Sequence, residues 1–165
     1  MFLYSRRKQQ RGAKESVKSI LVPVDFSKAT GLVLRATATM AKALDARVTV
    51  MNVAPREPDV LGHQLTRKVI TEPVPEDVRE RYDNLMACAK RLEDADVVVK
   101  PLLVRDDRVR AIIREVEREE ADLIVMGSHG RGALYRRIMG SVSEGVLREA
   151  KCPVLIIPSK ALKED

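Results

Sequence analysis

Short runs of Val, Ile and Leu alternate with longer amphipathic segments along this chain of 165 residues, and this alternation limits the fold more than any other feature. Strands that alternate with helices predict a parallel sheet with helices on both faces. The runs are continuously apolar, as expected of strands whose two faces are both covered. Five strands are predicted, at residues 19–25, 47–53, 97–104, 122–126 and 153–158.

Ser27 is the expected N-cap of the first helix. Pro101 lies inside the third strand, and because proline cannot donate to a strand ladder, this strand is predicted at an edge of the sheet. These features favour an open sheet with the first strand in the centre and the third and fifth strands outside.

The stretch 55–75 contains four prolines and is predicted to be a long connection. Four helices are predicted between the strands, at residues 27–46, 76–95, 107–121 and 141–150.

The fifth predicted strand is short, apolar and expected at an edge. An uncovered apolar edge invites pairing with another chain. We therefore expect a homodimer that forms through the strand Val154–Ile157. The alternative is that residues 159–165 fold over this edge within one chain.

The basic charge is concentrated at the N-terminus. The chain has a formal net charge of +6, and residues 1–19 contain six basic side chains and one acidic side chain. We expect residues 1–18 to form a disordered tail, residues 19–159 one domain and residues 160–165 a second tail. An open alternative for the basic tail is binding to nucleic acid or to anionic lipid.

Composition argues against several classes of protein. No apolar run approaches the ~18 residues that a membrane span needs. The two cysteines and two histidines do not support a disulfide scaffold or a dedicated metalloenzyme, and Cys88 and Cys152 are expected to be structural. Because residues 1–18 lack the apolar core of a signal peptide, we expect a cytoplasmic protein.

Five of the eight glycines follow the fourth strand, between residues 127 and 145. Glycine lets the backbone approach a ligand closely. Gly140 and Ser141 open a helix, and the free N–H groups and partial positive charge of a helix N-terminus attract phosphate. His129 and Arg131 add charge or hydrogen-bond donors on the loop. This segment is therefore predicted to bind phosphate.

Asp25 ends the first strand at the carboxyl edge of the sheet, beside the switch point where ligands bind in open α/β folds. Its carboxylate can accept hydrogen bonds from ribose hydroxyls or from an adenine amino group. Asp25 and the helix start at Ser141 also have a purely structural interpretation. Asp25 would cap the helix near Ser27, and the spacing of Ser141 and Glu144 is that of a capping box.

The sequence offers no evident machinery for hydrolysis. It contains no G-x-x-x-x-G-K-[ST] motif, whose lysine would reach the terminal phosphates of a nucleotide. It also contains no G-x-G-x-x-G after the first strand, the fingerprint of dinucleotide binding. We identify no catalytic residue and expect weak hydrolysis of a bound nucleotide at most.

Three segments resemble the universal stress protein family: residues 20–27 its opening strand, 122–132 its signature strand and loop, and 151–157 its closing strand. The resemblance runs from residue 19 to residue 158. The G-2x-G-9x-G-[ST] pattern of the ATP-binding subclass is matched without gaps by Gly127, Gly130, Gly140 and Ser141. The resemblance implies an adenine-nucleotide α-hydrolase-like fold, an open five-stranded parallel sheet with strand order 3-2-1-4-5.

The resemblance also implies an ATP site. Asp25 would lie near the ribose or the base, and Val53 would line the adenine pocket. Gly127 would let the ribose approach, while Gly130 and Arg131 would lie along the phosphates, with Mg²⁺ or Mn²⁺ accompanying them through ligands that remain unknown. The expected nucleotide-binding residues are Pro23, Val24, Asp25, Val53, Met126, Gly127, His129, Gly130, Arg131, Gly132, Gly140, Ser141, Val142 and Ser143.

The function that the resemblance implies is that of a dimeric, nucleotide-sensing stress-response module, with the dimer formed through the last strand. Two alternatives stay open: a slow ATPase that uses the same site, and an interaction protein that works through its basic tail. The sequence departs from the family at Asn52, where His is frequent, and at Asp106 and Asp107, where Gly is common. We expect these last two to have little effect on the fold.

Overall fold

The computed structural model describes residues 2–4, 16–55, 76–128 and 139–158, with residues 2–4 described by their backbone. The elements follow the predicted alternation, and most of their ends lie within two residues of the predicted ones. In chain order they are β1 (Phe2–Tyr4), β2 (Ser19–Pro23), α1 (Thr30–Leu44), β3 (Arg47–Ala54), α2 (Glu76–Glu93), β4 (Val99–Arg105), α3 (Arg108–Arg118), β5 (Leu123–Gly127), α4 (Ser141–Glu149) and β6 (Val154–Ile157).

The strands form one sheet with the order β1-β6-β5-β2-β3-β4. Strands β2 to β6 are parallel, which confirms the predicted five-stranded arrangement with order 3-2-1-4-5. β2 is central because it pairs with both β3 and β5. β4 lies at the edge with Pro101 opposite Val50, as the missing N–H of proline requires.

The other edge of the sheet differs from the expectation. β1 runs antiparallel to β6, with Leu3 opposite Leu155. The prediction that the closing strand is an edge strand is therefore wrong, because N-terminal residues of the same chain pair with it. These residues belong to the stretch expected to be a disordered tail. Residues 5–15 and 159–165 lie outside the described residues, and with them most of the basic tail and the second tail.

Helices α1 and α2 cover one face of the sheet, and α3 and α4 cover the other. Alternate side chains of a strand point to opposite faces. Ile20 and Val22 of β2 accordingly pack with α1 and α2, whereas Leu21 packs with α3 and α4. This double burial explains why the strand sequences are continuously apolar. Among the described residues, no helix is both long enough and apolar enough to cross a membrane.

The helix starts show which capping predictions hold. α1 begins at Thr30 with Ala29 as its N-cap, so the prediction that Ser27 caps this helix is wrong. α3 begins after Asp107, whose side chain accepts a hydrogen bond from the backbone N of Arg110 at 3.0 Å. Asp107 thus has a capping role at a turn where the family commonly has Gly.

Candidate functional site

A cavity of about 290 Å³ opens at the carboxyl ends of β2, β3 and β5. The strand order reverses at β2, which is where open α/β sheets bind their ligands. The cavity brings together segments that are more than 100 residues apart in the chain. Ten of the predicted site residues line it: Pro23, Val24, Asp25, Val53, Met126, Gly127, Gly140, Ser141, Val142 and Ser143.

The remaining four predicted residues lie outside the described residues. They are His129, Gly130, Arg131 and Gly132, all on the loop between β5 and α4. Their participation in the site stays a prediction.

Asn52, which is 2 % exposed, holds the ends of β2 and β3 together. Its Nδ2 donates to the carbonyl oxygen of Val24 at 2.8 Å, and its Oδ1 accepts from the Arg81 guanidinium at 3.4 Å. The backbone N of Val24 donates in turn to Met51 O at 2.8 Å. Both ends of the buried amide therefore have partners within the protein, and the chain after β2 is fixed in position.

Asp25 shapes the turn that leads from β2 into α1. Its Oδ1 accepts a hydrogen bond from the backbone N of Ser27 at 3.2 Å. Phe26 between them has a φ of 59°, in the left-handed region. Asp commonly forms turns of this kind with the residue two positions on. Because α1 starts only after Ala29, the interpretation of Asp25 as a helix cap is wrong.

The first turn of α4 forms a second wall of the cavity. Its N-cap is Gly140, which supplies no side-chain cap, so the proposed capping box of Ser141 and Glu144 is not formed. The first N–H groups of a helix have no acceptor within the helix. Those of Ser141, Val142 and Ser143 are thus the donors that this wall can offer to a ligand.

Hydrogen bonds join the two described ends of the loop between β5 and α4. The backbone N of Gly140 donates to Ser128 O at 2.8 Å. The hydroxyl of Ser143 donates to Gly127 O at 2.9 Å, and it is 3.3 Å from Ser128 O. This hydroxyl therefore positions the helix against the end of β5, although Ser143 is among the residues expected to bind the nucleotide.

The charges around the cavity favour an anionic ligand. Arg81 and Arg108 line it from α2 and α3, and Asp25 is the one carboxylate among the described lining residues. The partial positive charge at the N-terminus of α4 adds to the two guanidinium groups. The excess of positive charge raises the local concentration of anions.

Comparison with known proteins identifies the family. The sequence model of the Universal stress protein family matches residues 16–158. This chain belongs to the universal stress protein family. The resemblance seen in the three sequence segments is thereby confirmed.

Several relatives cover most of this universal stress protein. The universal stress protein MJ0531 of Methanocaldococcus jannaschii is 30% identical over 148 residues, which are 89% of this chain and 85% of the relative. A universal stress protein of Thermus aquaticus is 31% identical over 140 residues, 85% of this chain and 98% of the relative. The match therefore extends over the whole domain rather than one motif.

Solved structures agree with the fold. The universal stress protein of Archaeoglobus fulgidus in complex with dAMP is 26% identical, with a TM-score of 0.62 over 85% of this chain and 97% of the other. The M. jannaschii protein MJ0577 is also 26% identical, with a TM-score of 0.65 over 86% of this chain and 96% of the other.

Sequence reasoning missed part of the lining of this universal stress protein. Arg81 lies in the second turn of α2 and Arg108 is the first residue of α3, and nothing in their local sequence marks them as site residues. Asn52 was noticed only as a departure from the family. The other lining residues not predicted are Ser27, Ala29, Thr30, Val33, Met51 and Ile112.

The two cysteines lie away from the cavity lining and have little thiolate character. Burial raises the pKa of the Cys88 thiol, with the nearby Arg91 opposing it. Burial also raises the pKa of Cys152 to about 11. A thiol must ionise to act as a nucleophile. The raised pKa lowers the thiolate fraction of both cysteines at neutral pH, and their structural role stays a prediction.

Proposed function

We propose that this protein binds an adenine nucleotide, ATP in preference to GTP, and acts as a nucleotide-sensing stress-response module. One observation carries the proposal: the N-terminus of α4, which receives no side-chain cap from its N-cap residue Gly140, lines the same cavity as the apolar carboxyl ends of β2 and β3. An apolar wall suits a base, and free N–H groups suit phosphate. A single cavity therefore offers both halves of a nucleotide site.

The nucleoside end of the cavity is the wall formed by the carboxyl ends of β2 and β3 and by the start of α1. Pro23, Val24 and Val53 supply its apolar surface, and Asp25 supplies an acceptor for ribose hydroxyls or an adenine amino group. The A. fulgidus relative that was solved in complex with dAMP supports a ligand of this type.

The phosphate end is formed by Gly127 and by the segment from Gly140 to Ser143. The ribose approaches over Gly127, and the phosphates accept hydrogen bonds from the first turn of α4. From the resemblance to the family, Gly130 and Arg131 are expected along the triphosphate, and both lie outside the described residues. The backbone N–H groups of α4 would bind phosphate whatever the base is and therefore do not select the base.

A divalent ion, Mg²⁺ or Mn²⁺, accompanies the triphosphate in this proposal. Asp25 is the one carboxylate on the described lining, and no cluster of three or more metal-ligating side chains occurs in the described ranges. These donors fit an ion that arrives with the nucleotide and takes most of its ligands from phosphate and water.

The proposal is tested by thermal denaturation of nucleotide-stripped protein with ATP, ADP, AMP and GTP, each with and without Mg²⁺. Ligand at ~100 times its dissociation constant adds ~2.7 kcal/mol of stability. We expect a clear shift with ATP and none with GTP. Equal shifts with ATP and GTP would contradict the proposed base preference. No shift with any nucleotide would contradict the proposed function. Phosphate release in the same samples would reveal slow hydrolysis.

We also propose that two copies associate along β6. The antiparallel pairing of β1 with β6 supports this, because it shows that the edge of β6 accepts an antiparallel strand. Since β1 takes this place within one chain, pairing between two chains competes with β1. Light scattering should therefore give a larger dimer fraction after deletion of residues 1–15. A monomer at high micromolar concentration after that deletion would exclude the dimer.

A further inference from the structure

Thr30 carries a buried hydroxyl that has no hydrogen-bond partner. The residue is 8 % exposed, and its Oγ1 contacts no donor or acceptor among the described residues. The buried hydroxyl of Ser27 also has no hydrogen-bond partner among the described residues, and both residues line the cavity. Most buried hydroxyls in native proteins are hydrogen-bonded, because leaving one unpaired costs free energy. An unpaired hydroxyl beside a cavity therefore points to an occupant of that cavity.

The position of Thr30 explains why local acceptors are lacking. A Thr at the N-cap would accept from the first turn of the helix, but Thr30 lies one residue beyond the N-cap Ala29. A Thr further inside a helix donates to the carbonyl four residues earlier, as Thr39 does to Arg35 O at 3.1 Å. Four residues before Thr30 is Phe26, in the left-handed turn. Neither of the usual arrangements is therefore available.

The polar side chain of Asn52 on the same wall does not supply the missing partner. Its amide bonds to Val24 and to Arg81, whereas the Thr30 hydroxyl has no partner among the described residues. Ser27 and Thr30 also border a second groove, next to Arg91. That groove is more open than the cavity and so suits a bound ligand less well.

We propose that the Thr30 hydroxyl hydrogen-bonds the nucleoside part of the ligand and is a further binding contact of this site. The inference rests on the proposed function. Thr30 begins α1, which covers the sheet face opposite to that of α4. The phosphates are held at α4, so the hydroxyl at the start of α1 meets the sugar or the base. Because this contact is made to the nucleoside, it should serve adenosine, AMP and ATP equally.

Thr37 provides a matched control in the same helix. Its hydroxyl is also buried without a partner, and the residue is 0 % exposed, but it does not line the cavity. Replacing either threonine by the isosteric valine removes one unpaired hydroxyl. Only the change at Thr30 removes a group that a ligand can reach.

The experiment is isothermal titration of wild type, Thr30→Val, Thr30→Ser and Thr37→Val with ATP, AMP and adenosine, together with melting curves of the free proteins. Loss of one hydrogen bond predicts that Thr30→Val weakens all three ligands by a similar factor, roughly 5- to 20-fold. Thr30→Ser and Thr37→Val should bind within about twofold of wild type. Without ligand, both valine variants should melt at or above the wild-type temperature.

The outcomes separate this inference from the proposed function. If wild type binds none of the three ligands, the proposed function fails and the inference fails with it. If wild type binds and Thr30→Val binds equally well, the inference alone is overturned. A loss that grows with the number of phosphates would place the hydroxyl at the phosphate end. If Thr30→Val melts well below wild type while Thr37→Val does not, the Thr30 hydroxyl has a structural partner within the protein. Either of these last two results would also overturn the inference.

Discussion

The two ends of the cavity are built in different ways. The proposed phosphate end consists of backbone groups from one continuous segment, held by hydrogen bonds of Gly140 and Ser143 to the end of β5. The proposed nucleoside end consists of side chains that come from β2, β3, α1 and α2, with Asn52 at the centre of their hydrogen bonds. A site built from the backbone of one continuous segment can be predicted from a spacing of glycines. Only packing brings the second kind together.

The largest effect is expected at the phosphate end, from Gly140→Val. Gly140 has φ −80° and ψ 158°, which any residue adopts, so the helix start should be retained. The new side chain takes up space where the backbone meets phosphate. ATP affinity should fall roughly 100-fold, or ~2.7 kcal/mol, by titration calorimetry.

Gly31 supplies the control for that substitution. A Cβ on Gly31 would be 3.6 Å from its nearest neighbour, an ordinary contact, and Gly31 does not line the cavity. Gly31→Ala should leave ATP affinity unchanged and raise stability by ~0.5–1 kcal/mol. If Gly140→Val binds ATP with the affinity of wild type, the N-terminus of α4 does not bind the phosphates.

A second test addresses how α4 is positioned. A Cβ on Gly145 would lie 2.7 Å from Cγ2 of Val109 on α3. The side chain of valine is stiff at χ1, so it does not yield easily. Gly145→Ala should therefore lose about 1–3 kcal/mol of unfolding free energy in urea, despite the better helix propensity of alanine.

The partner of this clash provides the matched variant. Val109→Ala in the Gly145→Ala background should recover part of the lost stability, because the two changes relieve the same contact. A Gly145→Ala protein as stable as wild type would show that the packing of α3 against α4 adapts readily.

A third test separates the two roles of Asp25 at the nucleoside end. Asp25→Ala should weaken ATP binding by ~1–3 kcal/mol if the carboxylate accepts a buried hydrogen bond from the nucleoside. Asp25→Asn keeps a side-chain oxygen for the backbone N of Ser27 and should restore stability but only part of the affinity. If both variants bind ATP as wild type does, the carboxylate serves only the turn.

The smallest effect is expected at the opposite edge of the sheet, from Glu119→Gln. A hydrogen bond from Lys100 Nζ at 2.8 Å holds the pKa of Glu119 below its usual range. Because the folded-state pKa is lowered, this carboxylate stabilises the protein above its unfolded pKa, and the contribution is lost as the pH falls through the folded pKa.

Glu119→Gln should thus cost less than ~1 kcal/mol at pH 7, and the difference from wild type should vanish in acid, as urea denaturation at both pH values would show. ATP affinity should not change, since Glu119 bonds Thr49 and Lys100 near the amino ends of β3 and β4. A change in affinity would mean that the two edges of the sheet are coupled.

The amino-acid sequence by itself determined the five parallel strands and the edge position of β4. These follow from short-range rules: apolar runs give buried strands, proline excludes a central ladder position, and the carboxyl ends of parallel strands meet at one edge. The glycine spacing marked the wall at Gly140 and Ser141 because that segment is continuous in the chain, and the resemblance to the family supplied most of the other predicted wall residues.

Tertiary structure alone decided which side chains meet. Arg81 reaches Asn52 only because α2 packs beside β3, and the Ser143 hydroxyl turns to Gly127 only because α4 returns to the end of β5. The pairing of β1 with β6 likewise joins the two ends of the described chain. Such contacts depend on the relative placement of elements far apart in the sequence, and no local propensity encodes that placement.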